Sequence, residues 1–127
     1  MEQYLIDTNV VSDYFSASFS TAGMQLMDSV IDAVPILSVI SQIEILSWKT
    51  DSQTEQQVKN FILDSTILEI KPGVITHCVN LRRSKKIKTP DSIIAATALA
   101  YAYTLITSNE KDFKNIPGLK MINPKTL

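Results

Sequence analysis

Apolar and polar positions follow two periods along the chain. Short apolar, β-branched runs at residues 3–6, 35–39, 66–70, 104–107 and 120–122 predict strands. Between them, apolar positions recur at helical spacing. Helices are expected at 9–15, 20–33, 41–49, from 52 onward, 72–86, 90–102 and, briefly, 109–114. In the second of these, Met24, Met27, Val30 and Ile31 line one face; in the fourth, Val58, Phe61 and Ile62 turn inward. Thr89 and Pro90 read as a cap and first-turn pair. Strands separated by helices predict an α/β fold with a parallel sheet covered on both faces. No linker, repeat or low-complexity segment interrupts the pattern.

The run from 92 to 109 carries no charge and is as long as a membrane span requires. Ser92, Thr97, Tyr101, Tyr103, Thr104, Thr107 and Ser108 interrupt it, so it reads as a buried helix followed by a buried strand. No membrane association is expected.

At 127 residues, 45% hydrophobic and 20% charged, residues 1–127 are expected to form one globular domain rather than a disordered chain. Cys78 stands alone, which excludes an intrachain disulfide and fits a reducing compartment. The first seven residues, Met1 to Asp7, have neither the basic nor the long apolar region of a signal peptide. A cytoplasmic location is expected.

The formal net charge of −1 hides an uneven distribution. Arg82, Arg83, Lys85, Lys86 and Lys88 supply five of the twelve cations, leaving a balance of −6 elsewhere. The run is either a helix C-terminus complementing its dipole or a phosphate-binding patch that neutralises a polyanion beside the next acid.

That acid, Asp91, belongs to a group of four. Asp7, Glu44, Asp91 and Asp112 each follow an apolar segment at or near the start of a helix. Right-handed βαβ crossovers bring the carboxyl ends of parallel strands to one edge, where ligands bind. Asp91 reaches that edge because a crossover helix runs antiparallel to the strands. Taken singly, each acid has a plain structural explanation. Ser41-Gln42-Ile43-Glu44 reads as a capping box, Asp91 as a second-position dipole partner, Asp112 as the third residue after an Asn109 cap, and Asp7 as a cap.

Together, however, four carboxylates repel and raise one another's pKa unless a cation compensates. Mg²⁺ or Mn²⁺ suits them, since such ions take one or two carboxylates and leave positions for water and phosphate oxygens. Zinc does not suit, because His77 and Cys78 are adjacent and lack partners and read as packing residues.

Four segments carry a resemblance to a known family: Leu5-Ile6-Asp7-Thr8-Asn9-Val10, Glu44 at a helix start, Thr89 to Ala98 with Asp91 in it, and Leu105 to Phe113 with Asp112 in it. Together they resemble the PIN-domain family, and within it VapC-type toxins of type II toxin-antitoxin pairs. The resemblance spans the chain through Asn123-Pro124. It implies a three-layer sandwich around a central five-stranded parallel sheet, Mg²⁺- or Mn²⁺-dependent endoribonuclease activity that inhibits translation, a cognate antitoxin partner and a homodimer. It assigns Asp7, Glu44, Asp91 and Asp112 to the acidic quartet, and Thr8, Asn9, Thr107 and Asn109 to supporting polar positions. Asp7 and Asp91 would ligate the metal directly, Glu44 and Asp112 through water or a second ion, with an activated water attacking phosphorus. Tyr103 departs from the pattern, standing where many relatives carry Gly.

Two other readings remain open on the residues. A haloacid-dehalogenase or receiver-like phosphotransfer domain would use Asp7 after the first strand, but it wants Asp where Asn9 stands and a Lys near Asn109. A non-catalytic partner-binding module would use Tyr14, Phe15, Met24, Met27 and Trp48 as an apolar groove.

Overall fold

The computed structural model describes residues 2–127 of the chain. Strands and helices alternate: β1 Tyr4–Ile6, α1 Thr8–Phe15, α2 Thr21–Asp32, β2 Ile36–Ser38, α3 Val39–Leu46, α4 Ser52–Leu63, β3 Thr66–Leu68, α5 Pro72–Ser84, α6 Thr89–Tyr101, β4 Thr104–Ile106, α7 Glu110–Phe113 and β5 Met121–Ile122. Every expected element is present.

The five strands do not form one continuous ladder. β1, β4 and β5 are hydrogen-bonded in that order and β2 pairs with β3, all in parallel. β2 lies alongside β1 without a ladder between them. Strands of two or three residues have few rungs, so a modest splay removes the ladder while side-chain packing keeps the neighbours together. The expected five-stranded sheet is thus a three-stranded and a two-stranded unit side by side.

Strand alternation divides the interior into two cores. Leu5, Leu68 and Leu105 face α5 and α6, packing with Val74, Leu81, Ile94, Ala95 and Ala98. Their sequence neighbours Ile6 and Ile106 face the other way, with Leu37, against Val10, Met27, Val58 and Phe61 of α1, α2 and α4. Helices therefore cover both faces of the strands and give three layers. The buried side of α6 carries Ser92, Ala95, Ala96 and Ala98, small residues that let α5 approach closely.

Helix ends differ from the expected caps in four places. α3 is capped by Ser38, whose hydroxyl accepts from the Ser41 N–H. Ser41 therefore sits inside the helix, and Glu44 is not the return arm of a capping box. α6 begins after Lys88, which places Asp91 third in the helix rather than second. Asp7 and Asn109 occupy cap positions, but neither side chain makes a capping bond. At the far end of α6 the left-handed residue is Ala102 (φ 58°), with Tyr103 N–H bonding back to Ala98 O. A Gly usually takes such a turn; here the departure at Tyr103 is absorbed one residue earlier.

Candidate active site

The carboxyl ends of β1, β2 and β4 lead into Asp7, α3 and Thr107, and the N-terminus of α6 arrives at the same edge. Asp7 is only 4% exposed. Its Oδ2 accepts from Thr107 Oγ1 at 2.8 Å, so its side chain serves the site instead of capping α1. Burial pushes its pKa up to about 6; the Thr107 bond opposes this, and the charges of Asp91 and Glu44 add to it. Asp91 is half-buried and also raised, first by burial and then by Asp112 and Glu44, with Lys88 pulling the other way. Asp7 thus feels the charges of Asp91 and Glu44, and Asp91 those of Asp112 and Glu44.

Two hydrogen-bonded arms hold three of them, Glu44, Asp7 and Asp112. In one, Thr8 Oγ1 lies 2.7 Å from Glu44 Oε1 and 2.9 Å from Ser41 Oγ, and Ser38 Oγ donates to Ser41 Oγ at 3.2 Å. A carboxylate only accepts, so the Thr8 proton goes to Glu44 and the Ser41 hydroxyl is left to donate to Thr8. Protons then run one way, from Ser38 through Ser41 and Thr8 to Glu44. In the other arm, Thr107 accepts at 3.0 Å from the Asn109 N–H while donating to Asp7. The Asn109 side-chain amide donates to Asp112 Oδ2. Asp7 and Asp112 are therefore linked through two residues of one turn.

The expected supporting residues divide accordingly. Thr8, Thr107 and Asn109 enter these arms, while Asn9 lies exposed on α1 outside both. Ser38 and Ser41, both essentially buried, were missed. A hydroxyl two strands away in sequence leaves no local signal, although Ser41 three residues after Ser38 is the spacing of an N-cap and its target.

Beside Asp91 and Asp112 opens a groove of about 590 Å³. Lys85, Lys86 and Lys88 line one wall, and Lys111, Lys114 and Asn115 the other. Lys85 Nζ donates to Lys114 O at 2.6 Å and joins the walls. Arg82 and Arg83, expected in the same patch, sit exposed on the last turn of α5 outside the groove. Arg82 Nη1 instead donates to Ile87 O.

The residues of the expected apolar groove do not form one. Met27 is fully buried in the core and cannot line a surface groove. Tyr14 bonds to Asp28, and Trp48 packs against the core. Phe15, 41% exposed, leans edge-on against Phe61. Cys78 packs, its sulfur 3.3 Å from Ser92 Oγ, whereas His77 is exposed rather than packed. Among the described residues no helix is long and apolar enough to cross a membrane.

The donor set is all oxygen, which fits a hard divalent cation. Among the described residues no three Asp, Glu, His or Cys side chains gather tightly enough to hold a metal ion. The arms account for that spread, since Glu44 is drawn to Thr8 and Asp112 to Asn109.

An α/β layer structure with a carboxylate edge of this kind defines a class of protein, and the comparisons give it a family. A family model described as PIN domain matches residues 4–119. The chain belongs to the PIN domain family. It is 53% identical over 36 residues to Ribonuclease VapC1 of Rickettsia felis, covering 28% of this chain and 27% of that protein. The match thus spans about a quarter of that curated relative's length. Among solved structures it is similar to a toxin-antitoxin complex from Klebsiella pneumoniae, at 31% identity and a TM-score of 0.74, over 96% of this chain and 98% of that one. It shares its fold with VapBC2 from Rickettsia felis bound to a promoter DNA fragment, at 22% identity and a TM-score of 0.76, over 94% and 97% of the two chains.

Proposed function

We propose that this chain is a Mg²⁺- or Mn²⁺-dependent endoribonuclease, the VapC-type toxin of a type II toxin-antitoxin pair, acting on RNA in the cytoplasm. The observation that carries the reading is the quartet at one edge, where Asp7 is buried and its pKa raised to about 6 with Asp91 and Glu44 contributing. A buried carboxylate facing like charges is costly unless a cation joins it. Asp7 and Asp91 would hold the ion, with Glu44 and Asp112 alongside. When bound, such an ion neutralises phosphodiester charge and acidifies water.

The chain's own residues set the rest. Thr107 keeps Asp7 aimed at the edge, and Thr8 fixes one Glu44 oxygen, leaving the other to orient a water or take its proton. Asn109 holds Asp112 on the side of the lysine groove. The relatives' names, Ribonuclease VapC1 and a toxin-antitoxin complex, support the substrate class and an antitoxin partner for this chain. Assembly as a homodimer is part of the proposal, checked by light scattering of the purified chain.

The test incubates the protein with structured RNA and Mg²⁺ or Mn²⁺, with and without chelator, beside Asp91→Asn. Cleavage is expected only for the native chain with metal, and cleavage that persists in chelator or in the variant overturns the reading. Inducing the chain in cells should halt translation, and co-expression of a cognate antitoxin should restore it.

A further inference from the structure

We propose that the groove between the α5–α6 connection and α7 is a phosphate track that grips an RNA strand by its backbone, with Lys111 and Lys114 as its second wall. The inference rests on the nuclease reading and names how that site holds its substrate. Lys86 and Lys88 face Lys111 and Lys114 across a cleft whose floor reaches Asp91 and Asp112. The cleft is therefore positive along its walls and negative at one end.

That polarity fits a polyanion that crosses the lysines and presents one phosphodiester to the acids. A small anion would be met by the acids as well as by the lysines, whereas a chain of phosphates spans both regions only if a cation sits between it and the carboxylates. Lys85 contributes differently. One of its three N–H donors is held by Lys114 O, so it ties the two walls together while its charge adds to that of the other four lysines.

Among the described residues no aromatic side chain lines the groove. Base stacking is the usual grip on unpaired nucleotides, and without it the strand is held by charge. Binding should then be indifferent to base identity and steep in salt, with a slope near −0.7 per neutralised phosphate on a single strand.

The experiment measures binding of the full chain to fluorescent U-rich and A-rich RNA oligonucleotides in EDTA, where cutting is not expected, across a salt series. Lys111→Ala and Lys114→Ala are each expected to weaken both RNAs by roughly three- to tenfold and to flatten the salt slope by about 0.7. Arg83→Ala removes the same charge outside the groove and is expected to change affinity less than twofold. Lys111→Gln and Lys114→Gln guard against loss of folding, with circular dichroism matched to the native chain. The proposal is overturned if the α7 lysine variants bind like Arg83→Ala, or if the two RNAs differ more than tenfold. Binding as expected without any metal-dependent cleavage sinks the nuclease reading alone; cleavage with native-like lysine variants sinks the track alone.

Discussion

The two sides of the acid edge are built in opposite ways. On the Glu44 side, Ser38, Ser41 and Thr8 are buried, and each hydroxyl hands its proton to the next until the last reaches a carboxylate oxygen. On the Asp112 side, the neighbours are exposed lysines around an open groove. One side places its charge through a chain of buried hydroxyls, and the other, beyond the single Asn109 bond to Asp112, borders it with exposed charge of the opposite sign. A change on the first side should therefore alter geometry, and one on the second should alter affinity.

The largest effect tests what the sides share. Asp7→Asn and Asp91→Asn should each lower the RNA cleavage rate at least roughly a thousandfold, the scale of losing metal charge stabilisation; residual activity above about a tenth would separate them from the chemistry. Asp7 then distinguishes function from folding. Its pKa is near 6 in the folded chain against about 3.9 unfolded, so the folded state prefers the protonated form. Its contribution to stability is complete below about pH 4 and is lost as pH rises through about 6, a difference on the order of 2–3 kcal/mol. Asp7→Asn should accordingly be more stable than the native chain at pH 7.5 in EDTA, and urea unfolding should show the gap closing as pH falls from 6 to 4.

A smaller effect breaks the hydroxyl side alone. Ser41→Ala leaves the Thr8 oxygen without its donor and should cost about 1–2 kcal/mol of stability. Displacing a carboxylate's supporting bond should also weaken Mn²⁺ affinity, read by calorimetry, by about tenfold. RNA affinity in EDTA should be unchanged, and a fall comparable to the lysine variants would erase the contrast between the sides. The smallest effect lies at the opposite end of the helix that carries Asp91. Ala102→Gly relieves a left-handed Ala and should stabilise the fold by about 1 kcal/mol, seen in thermal unfolding, with cleavage untouched.

Much of this was legible in the sequence because it depended on period and order. Apolar runs located all five strands, and the crossover rule then carried Asp7, Glu44, Asp91 and Asp112 to one edge although each looked like a cap. The capping pattern misled at Glu44 because Ser38, three residues before Ser41, competes for the cap role and wins by standing at the end of β2. Ser41 and Thr8 are 33 residues apart, and no local pattern reports a hydroxyl pair at that separation. Lys111 and Lys114 carried no signal in the sequence, since their relation to Lys86 and Lys88 exists only after α7 folds against α6. The missing ladder between β1 and β2 lies in how the two strands meet in space, which strand propensity does not encode.

The bond from Thr107 to Asp7 closes a loop of 100 residues, and β1 finds its hydrogen-bonded neighbour only in β4. While the chain is still being translated, β1 has nothing to pair with until residues 104–106 have emerged, and Asp112 comes later still. The acid edge therefore cannot assemble until residues 104–112 have been made, and its formation waits on contacts that join the two most distant parts of the sheet.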